Sequence, residues 1–271
     1  MNKPPVSEWT FSYKGLDHKI NLVTDTVSCV EPFPGSGAPI HKEYEQFCDL
    51  LSHIDNQEDP FMIELGCHWA LASIVFRKIF PSGKNFVLEP DLGCLSVGLM
   101  NFDLNSINRQ YCWGSIFPSD QSIDPVHHGF VSDPNPRGFQ IDFIKDIYNQ
   151  SPSGVIDVLH MDIQASEYPL IKQLDDFSLL DSSIKSLFIA THCVEQHYEI
   201  LEILNKNNFT VLIDLDRTIL RENCWRKFPL WQEKEAAAFA KSVDSEFSQQ
   251  DDFLIIYYPE KTDGLISAYK K

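Results

Sequence analysis

The chain has 271 residues, 43% hydrophobic and 12% aromatic, which excludes a disordered polymer and allows one sizeable α/β core. A formal net charge of −17 gives no general attraction to phosphate backbones or anionic lipid, so neither a nucleic-acid nor a membrane partner is expected. The seven cysteines (29, 48, 67, 94, 112, 193 and 224) are scattered and never form a Cys-x-x-Cys pair, which argues against a disulfide framework or a cysteine-based zinc site.

A reducing, cytoplasmic location is therefore expected. MNKPPVSEW at the start has no apolar signal core, and no stretch approaches the roughly 18 apolar residues of a membrane span. Residues 1–60 read as an entry region packed on the core, with 61–271 as the principal domain. TFSYKGLDHKINLV (10–23) predicts a short hairpin turning near Gly15. EPFPGSGAP (31–39) is a loop by its prolines and glycines, placed where it could fold over a site as a lid. IHKEYEQFCDLLSHI (40–54) then puts Tyr44, Phe47, Leu50, Leu51 and Ile54 at helical spacing.

From Phe61 to Asn105 the pattern is strand, small-residue turn, helix, Pro-Ser-Gly break, strand and acid, the skeleton of a βαβ nucleotide-binding unit. A third strand is expected within 108–117, then a long irregular stretch at 118–138 around His127–His128, and a helix over 140–150. GVIDVLHMD (154–162) is a buried strand ending in an acid, SEYPLIKQL (166–174) a helix, SIKSLFIATH (183–192) a strand and VEQHYEILEILNKNN (194–208) an amphipathic helix. FTVLIDLD (209–216) and FLIIYYP (253–259) read as strands that pair antiparallel at the sheet edge, separated by a helical insertion at about 221–250. Trp225, Phe228 and Trp231 fall at helical spacing there. The sum is an α/β fold: a doubly wound, mostly parallel seven-stranded sheet closed by a C-terminal antiparallel hairpin.

A cofactor with an adenosine part needs close backbone approach at the first turn and an acid after the second strand for its ribose hydroxyls. Gly66 suits the first need, and Glu89, followed by Pro90, suits the second. Cys67, His68 and Ala70 complete the turn where the dinucleotide fingerprint GxGxxG would have further glycines, so a pyrophosphate cradle is poorly supported. Glu64 inside this turn would repel a pyrophosphate but suits the cationic end of S-adenosylmethionine. Asp91 is better placed to cap the next helix than to touch a ligand.

IELGCHWALAS, VLEPDLGCLSVGLMNFDLN and IDVLHMDIQASEYPLIKQL, in this order and spacing, resemble the FkbM family of class I S-adenosylmethionine-dependent methyltransferases from about 61 to 215. The third block keeps Ile156, Asp157, Leu159, Asp162, Glu167 and Tyr168 of the family's IDLLKIDVEGAEY-like pattern. It departs at His160, Gln164, Ala165 and Ser166, and the first block departs at His68 and Ala70. The resemblance implies a Rossmann-like fold, S-adenosylmethionine as cofactor and O-methylation of glycans or secondary metabolites, with side-chain N-methylation of peptides in some relatives.

Methyl transfer from a sulfonium is an in-line displacement, and an alcohol or amide acceptor must also lose a proton. Candidate bases sit at carboxyl ends of strands, where ligands of open α/β sheets bind: His160 and Asp162 after one strand, His192 after the next. His192, which titrates near neutrality, is the first choice; Asp162 would orient the acceptor, and His160, two residues earlier, would share its sheet face. Asp162, Glu167 and His192 together have donors that suit a magnesium-like ion, but no spacing specifies one. The reading is a methyltransferase acting on oxygen or nitrogen of a saccharide, natural product or peptide. Its rivals are a binding protein that kept the fold without the chemistry and, on weaker grounds, an NAD-dependent oxidoreductase. Acceptor and oligomeric state are not encoded in any motif.

Overall fold

The computed structural model describes residues 6–23, 38–55, 58–108, 110–116, 138–139, 144, 151, 153–163, 166–215, 220–229, 234, 237, 241, 247–250, 253–261 and 264–270. The chain opens with the expected hairpin, β1 (Val6–Tyr13) and β2 (Leu16–Val23), whose two-residue turn holds Lys14 and Gly15 at φ 49° and 77°. Two consecutive positive φ values make the tight turn whose twist matches the flanking strands. Helix α1 (Ala38–Leu51) begins two residues inside the predicted loop; 31–37, and with them the lid reading, lie outside the described residues.

The central unit follows as β3 (Phe61–Leu65), α2 (Leu71–Ile79), β4 (Lys84–Glu89), α3 (Leu92–Leu104) and β5 (Gln110–Trp113). All five residues of β3 are buried, as a central parallel strand with both faces covered requires. A small parallel pair joins β6 (Ser115–Ile116) to β7 (Gly138–Phe139). Most of the irregular stretch, including His127–His128, and most of the helix expected at 140–150 lie outside the described residues. Next come β8 (Val158–Met161), α4 (Glu167–Asp176), the one-turn α5 (Leu179–Ser182), β9 (Ser186–Thr191), α6 (Val194–Lys206) and β10 (Thr210–Leu215). The chain then forms β11 (Leu220–Pro229), β12 (Phe247–Gln250), β13 (Phe253–Lys261) and β14 (Gly264–Tyr269).

Seven strands form one sheet in the order β10-β14-β9-β8-β3-β4-β5. β5, β4, β3, β8 and β9 run parallel, while β14 is antiparallel to both its neighbours, so the doubly wound sheet with an antiparallel C-terminal pair is present. Its second member is not the strand expected. The run 253–259 belongs to β13, which sits in a separate three-stranded sheet, β11-β13-β12, and the last strand, 264–269, wedges between β9 and β10. The reason lies in packing. GLISAY is buried through its first five residues and starts at Gly264, where a Cβ would lie 2.2 Å from Thr191 Oγ1 and 2.9 Å from the Leu215 carbonyl.

The insertion at 221–250 is likewise corrected: Leu220–Pro229 is a strand, so Trp225 and Phe228 lie on β-structure and their helical spacing was coincidental. Within 231–246 only Lys234, Ala237 and Lys241 are described; they are helical and exposed.

Two apolar layers cover the two sheet faces. One joins the hairpin, α1 and α2 through Ile20, Leu22, Phe47, Leu51, Ile74 and Phe76. The other joins α4 and α6 to the sheet through Leu170, Ile171, Leu174, Ile200 and Leu204. Asp157, buried at the foot of β8, accepts from Phe61 N at 2.8 Å, while its own N–H donates to Phe61 O. It thereby pins the starts of β3 and β8 so that their carboxyl ends emerge level. Among the described residues, no helix is long and apolar enough to cross a membrane.

Candidate active site

Four turns meet at the carboxyl edge of the sheet, where the strand order reverses on either side of β3. They follow β3, β4, β8 and β9. The first, Gly66 to Ala70, is held by main-chain bonds: Gly66 N and Cys67 N both donate to Leu88 O, and Ala70 N donates to Cys67 O. Gly66, His68 and Ala70 all have positive φ, at 75°, 45° and 60°. The requirement for glycine at 66 has a different cause from the one its sequence context suggests. A Cβ there would lie 1.8 Å from the backbone oxygen of Asp162, so the vacated space is filled by the neighbouring strand-end turn. Gly66 thus fixes how closely the β3 and β8 turns approach.

Glu64 is also corrected. It lies within β3 and is 2% exposed, so it does not present its carboxylate at the surface of the turn. Its Oε2 accepts from Ser73 N at 3.2 Å, in the first turn of α2, where Ala70 has no capping side chain. Burial, with help from Glu89 and Asp162, raises its carboxyl pKa to about 8. Glu64 therefore acts on the turn through the start of α2 that it supports. Cys67 is buried, and burial beside Glu64 and Glu89 pushes its thiol well above the ordinary range, so it is no nucleophile. His68 is exposed and stacks on Trp69 with ring centroids 4.5 Å apart.

Glu89 ends β4 and ties two turns together. Its Oε2 accepts from His68 N at 2.7 Å and its Oε1 from Asp91 N at 2.9 Å. Burial, then Asp91 and Asp162, raise its pKa to about 7 despite these donors. Each carboxylate oxygen has a second lone-pair direction, so a pair of ribose hydroxyls can still be received. Pro90 contributes its carbonyl to Trp113 Nε1 at 3.0 Å, bracing the outer wall. Asp91 caps α3 as expected, its Oδ1 accepting from Cys94 N at 2.8 Å.

On the other side of β3, the structure brings Asp162, Glu167 and His192 together. His192 Nδ1 lies 3.0 Å from Glu167 Oε1, and its Nε2 lies 3.4 Å from Asp162 Oδ1. Ile163 N–H donates to the same Glu167 oxygen at 2.9 Å, which fixes that oxygen as an acceptor and Nδ1 as the protonated ring nitrogen. Nε2 is then the basic nitrogen, beside a half-exposed Asp162 and backed by a Glu167 that is 1% exposed. Proton abstraction by this group would fall to Nε2, itself a buried atom, with Asp162 and Glu167 as its neighbours. The donor atoms of the three lie within 4.8 Å of one another, so the cation set named from sequence also converges. Two of its members already bond each other.

His160 is not brought into this group. It stacks on Phe188 at 5.5 Å and meets Phe47 edge-on at 5.8 Å, and burial lowers its pKa to about 4, leaving it neutral. Asp162 follows the last residue of β8, outside the regular alternation that would have put both on one face.

One network escaped the sequence reading. His197, fully buried in α6, meets Thr191 Oγ1 at 2.8 Å and Asp214 Oδ1 at 2.9 Å, joining β9, α6 and β10 directly behind His192. A histidine on the apolar side of a helix was the available signal.

No protein-family model and no curated protein matches the sequence. Among solved structures the chain is similar to a precorrin-6y C5,15-methyltransferase from Geobacter metallireducens (14% identity, 83% of this chain, 89% of that one, TM-score 0.41). It is also similar to the N-terminal domain of human METTL16 (10% identity, 93% and 75% covered, TM-score 0.45) and to a human methyltransferase 10 domain containing protein (9% identity, 86% and 82% covered, TM-score 0.42). At these scores the likeness carries no argument about activity, which has to come from the site.

Proposed function

We propose that the chain is an S-adenosylmethionine-dependent methyltransferase, a divergent relative of the FkbM type, that methylates oxygen or nitrogen on a saccharide, natural product or peptide. One observation carries the reading. A turn suited to an adenosine cofactor, with Glu89 as ribose acceptor, lies across β3 from a histidine whose basic nitrogen is fixed by Glu167. Glu64, Glu89 and Asp162 place three carboxyl groups around the β3 turn; burial raises the first two toward neutrality, and a ligand bearing an ammonium and a sulfonium would favour their ionised forms where a pyrophosphate would oppose them.

When bound, S-adenosylmethionine would supply an electrophilic methyl group on its sulfonium, whose carbon–sulfur bond breaks as the acceptor's bond forms and which leaves as the neutral thioether. His192 Nε2 takes the acceptor's proton as the acceptor attacks, Glu167 holds the ring and stabilises the resulting imidazolium, and Asp162 orients the acceptor. O-methylation of a saccharide or secondary metabolite is the first assignment and peptide side-chain N-methylation the second. Incubation with methyl-labelled S-adenosylmethionine and panels of these acceptors should transfer label, with His192→Ala retaining cofactor binding and losing transfer. Full transfer by that variant would remove His192 as the base.

A further inference from the structure

We propose that the groove between β1 and α1 receives an extended peptide strand, added to the outer edge of β1 by main-chain hydrogen bonds. The inference is independent of methyl transfer and starts from the hairpin's register. With a two-residue turn between Tyr13 and Leu16, residues 7, 9, 11 and 13 bond residues 22, 20, 18 and 16. The main-chain groups of the intervening residues must point outward: 17, 19, 21 and 23 from β2, and 6, 8, 10 and 12 from β1.

On β2 this deduction is met atom by atom. Asn21 N donates to Asn105 Oδ1 at 3.0 Å and Asn21 O accepts from Asn105 Nδ2 at 2.7 Å. Val23 N donates to Asn101 Oδ1 at 2.6 Å and Val23 O accepts from Asn101 Nδ2 at 3.1 Å. Two side-chain amides one helical turn apart on α3 thus imitate a neighbouring strand and close that edge. Among the described residues the opposite edge has no such cover, and no group bonds the outward N–H or C=O of Glu8, Thr10 or Ser12.

Beside this open edge lies a cavity of about 200 Å³, walled by residues 9–12 of β1 and by Tyr44, Glu45 and Cys48 of α1, and floored by Ile20, Leu71 and Val75. A strand edge facing a helix across an apolar floor is the geometry of strand-addition peptide grooves. The outward groups repeat every second residue along β1, a spacing that another strand matches and a compact small molecule does not. Alternate side chains of an added strand would enter the floor and the rest would face solvent. Exposed Glu45 at the rim, in a chain of net charge −17, favours basic residues at those outer positions. The occupant is therefore a peptide alternating apolar and basic residues.

The test is fluorescence anisotropy of a labelled alternating valine–lysine peptide of about nine residues, long enough to run beside β1, titrated with the full chain. Saturable binding is expected. Added antiparallel, the strand turns toward β1 the N–H groups of the residues opposite Glu8, Thr10 and Ser12, which are the solvent-facing lysines. The same peptide N-methylated at its lysines therefore loses its edge donors and should bind at least about tenfold more weakly, a loss of roughly 1.4 kcal/mol. Thr10→Pro removes an outward N–H without touching the β1–β2 ladder, as edge prolines do, and should weaken binding by a similar factor while Thr10→Ala does not. Circular dichroism checks that the proline variant keeps its fold, and the methylated peptide carries the test if it does not. No saturable binding, or equal binding of the methylated peptide, overturns the proposal. So would a concentration-dependent dimer of the chain alone that Thr10→Pro dissolves, since a second copy would then own the edge.

Discussion

Glu89 anchors His68 N and Asp91 N, and in the proposed function it would also accept from a ribose. Replacement by alanine removes two charge-assisted bonds and the ribose partner together, each worth about 1.5–3 kcal/mol. Calorimetry should show cofactor affinity falling by at least about tenfold, to no measurable binding in the limiting case. His192→Ala should leave affinity unchanged and slow turnover by about 10²- to 10⁴-fold, the usual worth of a general base. Glu64 and Glu89 make a pH prediction. Their folded pKa values, about 8 and about 7, lie above the ordinary carboxyl value of 4.5, so between these limits the folded state holds protons that the unfolded chain has released. Stability of the free protein should therefore be greatest near pH 5 and decline as pH rises through 7 to 8. A cofactor bearing an ammonium and a sulfonium favours the ionised carboxylates, so its thermal shift should grow over the same window. Differential scanning fluorimetry measures both trends, and Glu64→Gln should flatten the first. A free-protein melting temperature that climbs from pH 5 to 8 would refute the assigned burial.

Among the elements, the hairpin depends on Asn101 and Asn105 for its attachment to α3. Asn101→Ala strands the Val23 N–H and C=O in a buried setting and should cost about 1–3 kcal/mol in denaturant unfolding, whereas Asn205→Ala, at an exposed position of α6, should cost little. Gly66→Ala should be more severe, since its Cβ meets a backbone atom that no rotamer change can move. These cases show how far the sequence reaches. The alternating hairpin, the βαβ unit and the capping Asp91 were legible because each rests on a local pattern of a few residues. Gly66 was legible as a required glycine but not in its cause, because the atom it accommodates belongs to Asp162, 96 positions along the chain. The Trp225–Phe228 spacing misled because a three-residue separation suits a helix and also occurs by chance on the strand that β13 recruits.

For the molecule as a whole, strand order decides where chemistry can occur. Parallel strands β3, β4, β8 and β9 deliver Gly66, Glu89, Asp162 and His192 to one edge, and that convergence was readable once the first strand was seen to end in a glycine turn and the others in polar residues. The identity of the last strand was not readable, since 253–259 and 264–269 are both apolar and only packing against Thr191 selects the second. His160 and His192 were both candidate bases by the same logic, with His192 the first choice. Burial between Phe47 and Phe188 withdraws one, while Glu167, brought from the next helix, equips the other. The central claim is that the β3–β4 turns hold S-adenosylmethionine. Isothermal titration of the full chain with S-adenosylmethionine and with its demethylated product tests it most directly. The account predicts saturable one-to-one binding of both that Glu89→Ala abolishes; no binding of either ligand at millimolar concentration would contradict it.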